Sequence, residues 1–171
     1  MQVLWSKLLS GEATKPRTYS KRTIDFISSI DKKDADLFTK MCTFVCCLTS
    51  PELLIYDSVD EVYNKNQINF SELKHLDSLG LISFEPVSGY KVRKLPKQFI
   101  IYYYGRLTEV ECPNDGDNNI DIGKAMLTNM GKELIAISGG IPDEEFYNYM
   151  CSRLLGQGLI LSSIISAGRS F

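Results

Sequence analysis

The sequence predicts an α+β protein, mainly helical, with a winged-helix-like centre and a small antiparallel sheet. Three observations carry that expectation. Apolar residues recur at helical spacing before Pro51 and after Gly140, and strand-like runs rich in aromatic and β-branched residues gather between Ile82 and Tyr104. The stretch from Ser71 to Arg93 then runs helix, LGLI, strand, turn, strand, which is the order of a winged helix. The divisions expected are an N-terminal helical layer over 1–50, a winged-helix-like region over 51–140, and a C-terminal helix and tail over 141–171, packed as one unit.

Size and composition allow this without staples. A chain of 171 residues buries roughly 70% of the surface it exposes when unfolded, so a core of ordinary size suffices. Hydrophobic residues at 44% and charged residues at 23% lie near globular averages, which argues against wholesale disorder. The net charge of -2 gives no global attraction to polyanions, so any such binding must be local. No apolar run reaches the ~18 residues of a membrane span, and no signal peptide opens the chain. The cysteines number five, with Cys42, Cys46 and Cys47 in one helical pattern, which suits reduced buried thiols and a cytoplasmic setting.

The elements follow in order. Leu4, Trp5, Leu8 and Leu9 predict a helix over Gln2 to Leu9, closed by Gly11. Ser20 caps a helix from Lys21 to Ile30, and Asp31 starts another whose apolar positions run from Leu37 to Leu48 before Pro51 stops it. Leu53 to Tyr56 is extended, and Val59 to Tyr63 is a short helix. Ser71 caps a helix carrying Leu73, Leu76 and Leu79, with Gly80 ending it and Leu81 supplying the contact of a Schellman motif. Strands at Ile82 to Glu85 and Tyr90 to Arg93 flank the turn PVSG, and a longer strand covers Gln98 to Tyr104. PNDGDNN is a turn, Ile120 to Gly123 returns as a strand, Thr128 caps a helix to Ile137, and Asp143 begins the last helix.

Candidate chemistry is sparse. Cys42, Cys46 and Cys47 lack the paired spacing of a zinc site, and His75, the one histidine, has no cue linking it to a thiol. Asp115, Asp117, Asn119 and Asp121 resemble the start of a calcium loop, but Ile120 stands where the sharp turn needs Gly and Met126 where a bidentate Glu belongs. No phosphate-cradling Gly loop is present, and no cofactor is expected. Two basic clusters remain as candidate nucleic-acid or anion contacts: Lys15, Arg17, Lys21 and Arg22, then Lys91, Arg93, Lys94 and Lys97. Tyr102, Tyr103 and Tyr104 must point to both faces of their strand, which leaves aromatic surface for a partner. With Leu4, Trp5 and Leu8 they form the candidate interface.

One block carries kinship. Leu4, Trp5, Leu8, Leu9, Gly11, Glu12, Pro16, Ser20, Arg22, Thr23, Asp34, Ala35, Leu37 and Phe38 together resemble a bacterial domain-of-unknown-function family, DUF2806. Its members carry LW-x-x-LL-x-GE, a Pro, S-x-R-T and then D-A-x-L-F. LGLI at Leu79 to Ile82 and LTNMGKEL at Leu127 to Leu134 stand in the expected order. The resemblance implies that this chain corresponds to the C-terminal part of a longer protein, distantly similar to abortive-infection (Abi-alpha-like) proteins. It implies an association with phage defence and names no activity.

The function expected is a non-enzymatic interaction or assembly module with a protein partner or a second copy, and no membrane. A winged-helix nucleic-acid binder using the two basic clusters is the alternative.

Overall fold

The computed structural model describes residues 19–163. The expected helix at Leu4, Trp5 and Leu8 and the cations Lys15 and Arg17 lie outside the described residues.

Helix α1 spans Lys21–Ser29, and the Ser20 hydroxyl caps it by accepting from the Thr23 N–H at 3.2 Å. It turns Thr23 and Ile27 inward. Helix α2, Lys32–Met41, buries Ala35, Phe38 and Met41. The sequence suggested a helix running on to Leu48, but a single 3-10 turn, Cys42–Phe44, ends it, and Val45–Cys47 is strand β1. An apolar run without polar punctuation fits a buried strand as well as a helix, and here pairing decides. Strand β2, Pro51–Leu53, closes a hairpin on β1 and lies at the sheet edge, where proline's missing N–H is tolerated.

After the short helix α3, Glu61–Asn64, helix α4 spans Phe70–Ser78. Its cap is Asn69 rather than Ser71: the Asn69 side chain accepts from the Ser71 N–H at 2.8 Å. The expected Schellman ending forms in full, with Leu81 N–H donating to the Leu76 carbonyl at 3.1 Å and Gly80 N–H to the Asp77 carbonyl at 2.9 Å.

The winged arrangement does not form. Strand β3, Ile82–Phe84, pairs with β8, Ala125–Leu127, while β4, Tyr90–Leu95, pairs with β7, Asn118–Gly123. Thus β3 and β4 do flank a PVSG turn, but they lie end to end along one returning segment instead of pairing with each other. Only Lys124 separates β7 from β8, and its carbonyl accepts the Glu85 N–H at 2.8 Å. A nearly continuous return strand satisfies the backbone of both, which leaves PVSG as an outward loop.

Strands β5, Gln98–Tyr103, and β6, Arg106–Glu111, form a hairpin paired from Gln98↔Glu111 to Tyr103↔Arg106. Helix α5, Asn129–Ser138, is capped by Thr128, and helix α6, Glu144–Gly156, by Asp143, whose carboxylate accepts from Glu145 N–H at 2.8 Å and Phe146 N–H at 3.1 Å. Strand β9, Ile160–Ser163, pairs with β6, giving an antiparallel five-stranded sheet in the order β2-β1-β5-β6-β9. With nine strands and six α-helices among the described residues, the architecture is mixed α+β rather than mainly helical.

The core centres where α6 meets the sheet. Phe44 stands edge-on to Tyr63 at 4.9 Å and to Phe146 at 5.0 Å, and Tyr103 lies 5.7 Å from Phe146. Such contacts add to area burial and fix ring orientation. Among the described residues, no helix is long and apolar enough to cross a membrane.

Candidate functional site

Alternation along β5 and β6 sorts their side chains onto two faces. Ile101, Tyr103, Thr108 and Val110 point inward and are buried. Thr108 and Tyr147 of α6 share a hydrogen bond at 2.7 Å, and the Arg106 guanidinium pairs with Glu144 and covers the Tyr147 ring. That face is closed by α6. On the outer face, Ile100, Tyr102 and Leu107 remain 46%, 49% and 39% exposed. Strand register aligns Pro51, Cys47, Tyr102 and Leu107 in one row across four strands, so the apolar groups form a continuous patch.

Helix α5 covers only the β1 and β2 end of this outer face. Between it and β5 lies a cleft of about 300 Å³ lined by Val45, Cys46, Cys47, Pro51, Tyr102, Tyr104, Ile135, Ala136, Gly139 and Gly140. Its end wall is built by the β5–β6 turn. Tyr104 and Gly105 have φ of 43° and 93°, the positive pair of a type I′ hairpin loop. A tyrosine in that conformation is strained by about 1–3 kcal/mol. Its hydroxyl donates to the Cys42 carbonyl at 2.9 Å, which ties the hairpin tip to the end of α2. Gly140 makes this possible, because a Cβ there would lie 2.2 Å from the Tyr104 hydroxyl.

The cleft offers apolar surface and few polar groups able to do chemistry. Burial pushes the Cys42 thiol up to about 12, and burial with the Glu52 carboxylate nearby pushes Cys46 higher still. Thiols held protonated are weak nucleophiles and weak metal ligands. Burial likewise raises Tyr104. A neighbouring cavity of about 470 Å³ holds Lys40, Asn66, Asp143 and Glu144, but these are already engaged: Lys40 with Gln67 at 2.5 Å, Asn66 with Asp143 at 3.1 Å, and Glu144 with Arg106. A third, of about 460 Å³, is lined by Leu48, Gln98, Phe99, Ile100 and Glu109, so it borders the outer face of β5 and β6.

The remaining sequence candidates fall elsewhere. His75 meets the Asp34 carboxylate at 2.8 Å and ties α4 to α2. Among the described residues, no three metal-binding side chains are grouped. Asn118, inside the loop that resembled a calcium site, donates to the Asn114 carbonyl at 2.8 Å and the Leu95 carbonyl at 3.3 Å, bonds that shape the loop itself. Lys21 and Arg22 are exposed on α1, which packs on α5. Lys91, Arg93, Lys94 and Lys97 are exposed on and after β4, in the ribbon with β7. Lys21 and Arg22 thus sit on a helix, and the second cluster on a separate strand ribbon. Of the aromatic trio, Tyr102 lies on the outer face, Tyr103 is buried, and Tyr104 belongs to the turn.

A family model described as Protein of unknown function (DUF2806) matches residues 1–151. The chain belongs to the DUF2806 family. The DUF2806 match takes in the Trp5 block, both walls of the cleft and the whole β5–β6 hairpin. No curated protein matches this DUF2806 chain, and no solved structure does.

Sequence reasoning missed strand β6, although RLTEVE alternates and follows a Tyr-Gly turn. The glycine pair Gly139 and Gly140 after the Thr128-capped helix serves two purposes. Only Gly139, with φ of 75°, is needed for the helix ending, and the second glycine was the cue to a close approach.

Proposed function

We propose that this DUF2806 chain is a non-enzymatic interaction or assembly module, and that its contact surface is the outer face of β5 and β6, joined to a second copy. The observation that carries this is the aligned row of Cys47, Tyr102 and Leu107 with Ile100 beside it, which brings three large, partly exposed apolar side chains together on one face of the sheet. A tyrosine centre with few charges matches the composition of protein interfaces. The protonated thiols and the committed Tyr104 hydroxyl support the non-enzymatic part. Among homo-oligomers, two-fold dimers are by far the commonest arrangement.

Solution mass measured over a range of concentrations tests it. The expected result is a dimer that the paired change Tyr102→Ser and Leu107→Ser converts to monomer. A mass that stays monomeric at the highest concentration overturns it. For the biological setting the proposal is phage defence, on the family resemblance alone. Equal phage plating on cells with and without the gene would refute that.

Nucleic-acid binding is a second reading, favoured by one observation. The register shift between Val92 and Leu95, with Lys94 at φ of 59°, forms a bulge that leaves Arg93 and Lys94 both in solvent. Neither has an ion pair among the described residues, whereas Lys97 pairs with Asp115 at 3.0 Å. If the bulge grips phosphates, replacing both by Ala lowers the salt slope of binding by about 2, roughly one per cation. No binding at low salt would end this reading.

A further inference from the structure

We propose that the cavity between the start of α6 and the end of α2 binds a free α-amino acid with an apolar side chain. This goes beyond the association reading, because none of its lining residues lies on β5 or β6. Its volume of about 470 Å³ falls within the ~300–1,000 Å³ of small-molecule sites. The two walls are fixed to each other, since the Tyr103 hydroxyl donates to the Thr43 carbonyl at 3.0 Å and accepts from the Asp143 N–H at 2.9 Å.

Two ions line the cavity without neutralising each other. Lys40 is exposed and reaches only the neutral Gln67 side chain, at 2.5 Å, with no carboxylate at ion-pair distance among the described residues. Asp143 likewise meets no cation there: its carboxylate accepts from the Glu145 and Phe146 N–H groups and from Asn66, all neutral donors. The other carboxylate at the cavity, Glu144, is paired with Arg106. One positive and one negative charge are thus left at one small space. A simple anion is repelled by Asp143 and a simple cation by Lys40, whereas a ligand carrying both charges satisfies each.

Neutral groups complete the match. Thr43 is only 7% exposed and lines the cavity, and its hydroxyl has no hydrogen-bond partner among the described residues. A buried hydroxyl left unused is costly, so an acceptor brought to it by a ligand is a gain. Asn66 directs its amide N–H groups to Val62 and Asp143 and leaves its carbonyl oxygen free. A carboxylate at Lys40 and Thr43 and an ammonium at Asp143 and Asn66 use all four groups, and Ile141 and Pro142 offer apolar surface beside them. The compact molecule that carries a carboxylate, a primary ammonium and an apolar side chain is an α-amino acid.

Titration calorimetry on the full chain with L-leucine, L-valine and L-methionine tests this. The expected result is one saturable site per chain. Isopentylamine and 4-methylpentanoate each keep one of leucine's two charges and should bind about tenfold or more weakly. Lys40→Gln, at an exposed position, should abolish the preference for leucine over isopentylamine, which lacks the carboxylate. Asp143→Asn, which keeps a side-chain cap on α6, should abolish the preference over 4-methylpentanoate, which lacks the ammonium. The paired change Tyr102→Ser and Leu107→Ser should leave leucine binding unchanged, so failure of self-association does not touch this site. No saturable heat with any of the three amino acids, equal affinity for either single-charge analogue, or a preference that survives both cavity substitutions overturns the proposal.

Discussion

Tyr102 and Tyr103 are neighbours on one strand and share a side chain, yet one is 49% exposed and the other 2%. The difference lies in what covers each face of the sheet. Inside, α6 brings Phe146 and Tyr147 against Tyr103, whose hydroxyl also donates to the Thr43 carbonyl at 3.0 Å and accepts from the Asp143 N–H at 2.9 Å. Outside, α5 stops short and Tyr102 is left beside a cleft. Residue type says that an aromatic side chain will be useful, and the helix laid over it decides whether the use is folding or contact.

The largest effect that tests this contrast is Tyr103→Ala. It removes a buried ring and leaves the Asp143 N–H without its acceptor, so a loss of about 3–5 kcal/mol is expected, measured by denaturant unfolding. If it costs no more than Tyr102→Ala, the two faces are not distinct in the way described. Next comes Gly140→Ala, which drives a methyl into the Tyr104 hydroxyl and the Cys42 backbone. About 1–3 kcal/mol of overpacking is expected, with the Tyr104 to Cys42 hydrogen bond lost. Relief by the added change Tyr104→Phe would sharpen the assignment of the clash.

The inner face also predicts a pH response. Burial raises Cys42 from its ordinary 9.0 and Tyr103 from its ordinary 10.0, each to about 12. The unfolded chain therefore releases these protons first, and above pH 9 the folded state holds more of them. Stability is full below that point and falls as pH rises towards 12. Chemical denaturation at a series of alkaline pH values should show this, and Tyr103→Phe should flatten the part above pH 10. The smallest effect on stability is Tyr102→Ala, within about 0.5 kcal/mol, while its effect on association is the larger one. A large stability loss there would mean that the outer face is core.

Much of the local structure was legible. Ser20, Thr128 and Asp143 cap their helices because a side-chain oxygen beside the first turn has few better acceptor roles, and Gly80 with Leu81 closes α4 for an equally local reason. What failed were inferences about pairing. Val45 to Cys47 were apolar enough for a helix, and β3 and β4 were spaced well enough for a hairpin. The candidate site was legible only in part: Tyr102 was among the expected contacts, but Ile135, Ala136 and Gly140 come to it from a distant stretch of chain.

The sequence by itself determined the kinship, the caps, the turns and the alternation of β5. Those depend on residues within a few positions of one another, where hydrogen-bond geometry and side-chain period leave little choice. Only the tertiary structure decided that β7 and β8 return along both β3 and β4, that α6 closes one face of the sheet, and that α5 leaves a cleft on the other. Backbone pairing is nearly indifferent to side chains, so its partner is chosen by the shape of the whole core, which no local pattern encodes.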